Sequence, residues 1–133
     1  MNLHEIKDTI VKSMKENGVS LLYYSSYSTH SLYLKLDNGL LNTVRISDHP
    51  GKKHLNYRYE IGPHIKEFKV DHSKKYKSYM FPSDEVDKLI STILEDRKDK
   101  MEKYSPSGYT YFYEKNAREH ANDKGFWSSA RSI

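Results

Sequence analysis

The chain has no cysteine, so disulfides and thiolate metal sites are excluded. Glycine is sparse, and Gly39, Gly51 and Gly62 stand singly at turns rather than in a phosphate-cradling loop, which argues against nucleotide hydrolysis. No stretch approaches the roughly 20 apolar residues that span a bilayer. The opening Met1-Asn2-Leu3-His4-Glu5 lacks the basic and then apolar run of a secretory signal. No repeat or low-complexity tract is present. These absences together fit a soluble protein of a reducing cytoplasm with no membrane partner.

What remains is a length of 133 residues, enough for one domain with a modest core beneath a heavily solvated surface. The net charge of +4 is uneven. Residues 45–77 hold nine Lys/Arg against four Asp/Glu, whereas 83–104 hold five against seven. The positive excess belongs to the middle of the chain, and it suits an acidic partner: nucleic acid or an acidic protein face. Twelve tyrosines accompany it, a residue at home in half-buried sheet positions and on binding surfaces.

Hydrophobic periodicity predicts an α+β fold: an antiparallel sheet of about four to five strands, flanked by an N-terminal helix and one long helix in the C-terminal half. Residues 2–17 read as an amphipathic helix, with Leu3, Ile6, Ile10, Val11 and Met14 on one side. Asn2 caps its start and Asn17-Gly18 stops it. The period then changes to two. Strands are predicted at 19–24, 31–36 and 40–46, the last two joined by an Asp37-Asn38-Gly39 turn, with Leu32, Leu34, Leu36, Val44 and Ile46 inward. Further strands are expected at 55–61, 67–70 and 76–80, completing the sheet. Ser83 is read as the cap of a helix running to about 103, with Asp84 and Glu85 in its first turn. Ser105-Pro106-Ser107-Gly108 then breaks it. Residues 1–104 therefore form the domain. Residues 105–133 are an aromatic and basic extension docked on it, with 109–113 an edge strand or aromatic arm and 116–122 a short helix.

Chemistry is hard to find. The seven histidines show no His-Glu-x-x-His pair, and His49 and His54 are separated by a loop. Ser47-Asp48-His49 holds the residue types of a hydrolase triad, but contiguous residues cannot meet as triad members do. Ser47 and Asp48 are better read as fixing the strand exit through bonds to nearby amides. Neither metal nor cofactor is expected, and no catalytic residues are assigned. Binding is better supported. Outward-facing Arg45 and Arg58 flank a loop carrying Asp48, His49, Lys52 and Lys53, and Tyr57 or Tyr59 is expected beside them. Cations next to aromatic rings suit a phosphate backbone or an unstacked base.

The run Ser31-Leu32-Tyr33-Leu34-Lys35-Leu36, followed by Val44-Arg45-Ile46-Ser47-Asp48-His49, resembles a strand element of small phage and mobile-element accessory proteins. In that element a strand ends in Arg-(Ile/Leu)-Ser-(Asp/Asn)-His and a tyrosine-containing strand follows. Some anti-CRISPR inhibitors of type II CRISPR nucleases carry a similar strand. The resemblance covers residues 30–61. It implies a non-enzymatic inhibitor acting in the cytoplasm of a bacterial host, docking on a CRISPR effector nuclease or its guide-RNA complex. The alternative is a nucleic-acid-binding accessory protein using the same basic, tyrosine-rich strands, and a third is a small hydrolase or metal enzyme centred on Asp48 and His49.

Overall fold

A computed structural model describes residues 2–25, 30–37, 42–48, 57–61, 65–66, 69–70, 77–81, 84–120, 122 and 131–133, with 57–61, 65–66, 69–70 and 77–80 described by backbone and pairing. The class is α+β. Helix α1 (Leu3–Glu16) is followed by strands β1 (Leu21–Ser25), β2 (Ser31–Leu36), β3 (Asn42–Ser47), β4 (Tyr57–Ile61), β5 (Ile65–Lys66), β6 (Lys69–Val70) and β7 (Lys77–Phe81). Helices α2 (Val86–Tyr104) and α3 (Pro106–His120) come next, and β8 (Arg131–Ser132) is last.

The main sheet is antiparallel in the order β7-β4-β3-β2-β1-β8, wider than the four to five strands expected. The expected 67–70 strand does not join it. Its last residues form β6, which among the described residues pairs with β5 as a separate two-stranded ribbon.

The alternation read along β2 and β3 is realised in full. Leu32, Leu34, Leu36, Val44 and Ile46 are buried, while Tyr33, Lys35, Thr43 and Arg45 on the opposite face are half-buried. Against the leucine face lie Leu3, Ile6, Ile10 and Met14 of α1 and Val86, Leu89 and Ile93 of α2, one continuous core. Each such side chain contributes about 1.5–3 kcal/mol on burial. The helix α1 starts where its sequence asks: Asn2 accepts from the Glu5 amide at 2.9 Å, and Glu5 reaches back to the Asn2 amide at 3.3 Å. It stops at Gly18, whose φ of +73° is left-handed.

Two helix boundaries differ from expectation. Helix α2 begins at Val86, so Asp84 and Glu85 precede it rather than occupying its first turn, and Ser83 lies outside the described residues. Glu85 makes no side-chain cap and instead accepts from Lys88 Nζ at 2.7 Å. More consequentially, 109–113 is neither strand nor arm but the first half of α3. The Ser105-Pro106-Ser107-Gly108 breaker is also a start signal. Ser105 Oγ accepts from the Gly108 amide at 3.1 Å, and Pro106 occupies the first helical position, where no amide hydrogen is needed.

Candidate functional site: a cationic row on the sheet

Because the leucines of β2 and the valine and isoleucine of β3 turn toward the helices, the intervening residues are forced onto the other face. There the register sets Tyr33 opposite Arg45, and Arg45 opposite Arg58. Like charges directly opposed across antiparallel strands are destabilising, so this pairing is not one that folding favours. The Arg45 guanidinium lies 5.9 Å from the centroid of the Tyr33 ring, a cation–π contact, and its Nη2 donates to Ser31 Oγ at 3.4 Å. Arg45 Nε is buried and has no hydrogen-bond partner among the described residues. Lys35 sits on the same face, diagonal to Arg45 in the register, and burial pulls its ammonium down from the ordinary 10.5 to about 8. Lys35 and Arg45 thus put partly desolvated cations on this face, where the register also places Glu60 opposite Thr43.

At the strand exit, Ser31 Oγ donates to Ser47 Oγ at 3.3 Å and both serines are buried. The Asp48 amide donates to the His30 carbonyl at 3.0 Å, and Asp48 Oδ1 lies 3.2 Å from His30 Nδ1. His30 escaped the sequence reading, since it lies eighteen residues from Asp48 and meets it only through the β2–β3 register. Of the Ser47, Asp48 and His49 run, Ser47 is engaged by Ser31 and Asp48 by His30, while His49 lies outside the described residues. Among the described residues no group of three or more His, Asp or Glu could hold a metal.

Of the residues assigned to binding, Arg45, Asp48 and Arg58 come together around β3, with Arg58 placed by its pairing. His49, Lys52 and Lys53 lie outside the described residues. Tyr57 is registered against Ile46 and Tyr59 against Val44, so neither shares a register row with Arg45. The aromatic residue of the arginine row is Tyr33, with Tyr24 registered next to it.

A second polar cluster stands at the opposite end of β2. Asp37, buried and left-handed at φ +47°, accepts from Arg97 Nε at 2.8 Å, from the Tyr109 hydroxyl, and from the Ser20 amide at 3.3 Å. Arg97 also donates to the carbonyls of Asn17 at 3.2 Å and Gly18 at 3.4 Å, and its guanidinium lies 5.6 Å from the Tyr109 ring centroid. Burial, and then the Asp37 carboxylate, push the Tyr109 hydroxyl well above its ordinary pKa, so it stays a donor. Every charge in this cluster is answered from within the chain.

Comparison with known proteins matched no family model, no curated protein and no solved structure. Among the described residues no helix is long and apolar enough to cross a membrane.

Proposed function

We propose that this chain is a non-enzymatic binding protein that engages nucleic acid, free or held in a protein complex, through the cationic face of β2, β3 and β4. The observation that carries this reading is the direct opposition of Arg45 and Arg58, with the Tyr33 ring beside Arg45. Two like charges placed in one cross-strand pair cost stability, and a bound phosphate removes that cost while answering Arg45 Nε, which has no partner among the described residues. A half-buried arginine beside an aromatic ring, as Arg45 is beside Tyr33, can hold phosphates and bases without a groove-reading helix.

The β3 sequence Val44-Arg45-Ile46-Ser47-Asp48, with its likeness to the strand of anti-CRISPR proteins, favours one specific form of this function: inhibition of a CRISPR effector nuclease by docking on the enzyme or its guide-RNA complex. Two assays test the readings separately. In gel shifts with short oligonucleotides at low salt, the wild-type protein binds, and R45E with R58E abolishes binding. Each phosphate contact removed lowers the logarithmic salt slope by about one. Absence of binding at low salt overturns the nucleic-acid reading. In guided cleavage assays, excess protein suppresses cutting by the target nuclease and R45E relieves it. Unchanged cleavage across a panel of type II nucleases removes the inhibitor form.

A further inference from the structure

The register that opposes Arg45 and Arg58 continues across the sheet. Tyr24 of β1 is paired with Tyr33 of β2, Tyr33 with Arg45 of β3, and Arg45 with Arg58 of β4. Directly opposed residues of an antiparallel sheet share a face, so the four form one row across the strands. With neighbouring strands about 4.8 Å apart the row runs about 14 Å, its aromatic half on β1 and β2 and its cationic half on β3 and β4. The halves meet at Tyr33 and Arg45. There the guanidinium lies 5.9 Å from the ring centroid, and both residues are half-buried, each keeping surface for a ligand.

The flanking rows differ. Residues on one face recur at every second position, about 7 Å along a strand. On one side at that distance stand Ser31 and Ser47, both buried, uncharged and bonded to one another at 3.3 Å. On the other stand Leu22, Lys35, Thr43 and Glu60, where one acid offsets one base. A duplex presents two backbones, separated by a minor groove about 6 Å wide or a major groove about 12 Å wide. The row has cations for one backbone, and among the described residues neither flanking row adds net positive charge for a second. Bases within a duplex are also covered by their neighbours, so the Tyr33 ring finds a base to stack on only where the strand is unpaired.

We propose that the ligand of this face is single-stranded nucleic acid laid across β1 to β4 along this row, with phosphates on Arg45 and Arg58 and an unpaired base stacked on Tyr33. Tyr24, next in the row, is the position for a second base, and stacking of two or three bases on one sheet is an established mode of recognition. The inference rests on the nucleic-acid reading above and narrows it to unpaired, sequence-tolerant binding, since every base has a face that stacks on a ring.

The experiment is fluorescence anisotropy at low salt with labelled oligothymidylate, oligouridylate and a mixed-sequence DNA duplex, each about 12 nucleotides or base pairs long, within the usual range of single-strand site sizes. The single strands bind about tenfold more tightly than the duplex, because only they offer a base to the ring. Y33L keeps apolar area but removes the ring. It weakens single-strand binding about tenfold and leaves the salt slope unchanged, because the lost contact carries no charge. Y33F retains the ring and binds as wild type does. R45E lowers affinity and salt slope together, as loss of a phosphate contact must. A duplex bound as tightly as the single strands overturns this proposal and leaves the nucleic-acid reading standing. So does a Y33L variant, folded by circular dichroism, that binds like wild type. Binding of none of the three probes overturns the broader reading, and this proposal with it.

Discussion

The two ends of β2 present polar clusters with opposite economies. At the Asp37 end, one carboxylate meets three donors and one guanidinium meets three acceptors, with partners drawn from the α1–β1 connection, α2 and α3. At the Tyr33 end, two arginines are opposed in register, a guanidinium nitrogen is buried without a partner among the described residues, and a nearby lysine is desolvated. Buried polar groups that are fully satisfied rigidify a fold, whereas those left unsatisfied cost it free energy. Ser20 Oγ at the first end is also buried without a partner among the described residues, but the charges of Asp37 and Arg97 answer one another there, and folding accounts for that cluster. The second is the one the proposed binding function draws on.

If that distinction is sound, the two ends must respond oppositely to mutation. The largest effect belongs to Asp37→Ala. It leaves Arg97 without its carboxylate and the Ser20 amide without an acceptor, and the loss is about 3–5 kcal/mol. Chemical denaturation measures it, and a loss below about 1 kcal/mol would place Asp37 among ordinary turn residues. Tyr109→Phe comes next. It deletes one charge-assisted donor while keeping the ring, which costs about 1.5–3 kcal/mol. Hydrogen exchange should show the opening concentrated in α3, with the amides of β2 and β3 unchanged. Uniform faster exchange across the sheet would break the assignment of Tyr109 as an anchor rather than a core residue.

The sequence revealed these regions unequally. Helix α1 was legible to the residue, since Asn2, Glu5 and Gly18 are local signals acting within one turn. The inward set of β2 and β3 was legible because alternation alone assigns faces. Helix α3 was not. Its Tyr109-Thr110-Tyr111-Phe112-Tyr113 run has strong strand character, and the start signal at Ser105-Pro106 and docking against α2 override it. Asp37 looked like a turn residue because its decisive partners are 60 and 72 residues away. For the proposed binding face, alternation put Arg45 and Arg58 on one side, while the place of Tyr33 beside Arg45 came only with the structure. Deciding between Tyr33 and Tyr57 requires the register of β2, β3 and β4, which no single strand encodes.

Smaller and opposite in sign is Arg45→Met. Methionine keeps the apolar stem and removes the charge facing Arg58, so stability rises by up to about 1 kcal/mol while nucleic-acid binding is lost. A melt and a gel shift on the same preparation check this. Loss of stability together with loss of binding would make Arg45 a structural residue and erase the contrast with Asp37.

The smallest effect tests whether the face is desolvated at all. Lys35 titrates at about 8 in the folded chain against an ordinary 10.5, because burial disfavours the ammonium. Below pH 8 both states carry the proton and the folded state bears the cost of the buried charge. Between about 8 and 10.5 the unfolded chain holds more protons than the folded one, so this group's contribution to stability rises with pH and levels off above that window. Lys35→Met removes the cost at every pH. The variant should therefore melt above wild type at pH 7, and its advantage should shrink steadily toward pH 10. The side chain keeps part of its solvent, which screens the charge and holds the difference to about 1 kcal/mol. Taking the difference between the two proteins cancels the titration of the other lysines and the tyrosines, which act on both alike. A constant gap from pH 7 to 10 would mean that Lys35 is solvated as a free surface lysine is, and the cationic face would then lose the partial burial that makes a bound anion worth more there than on open surface.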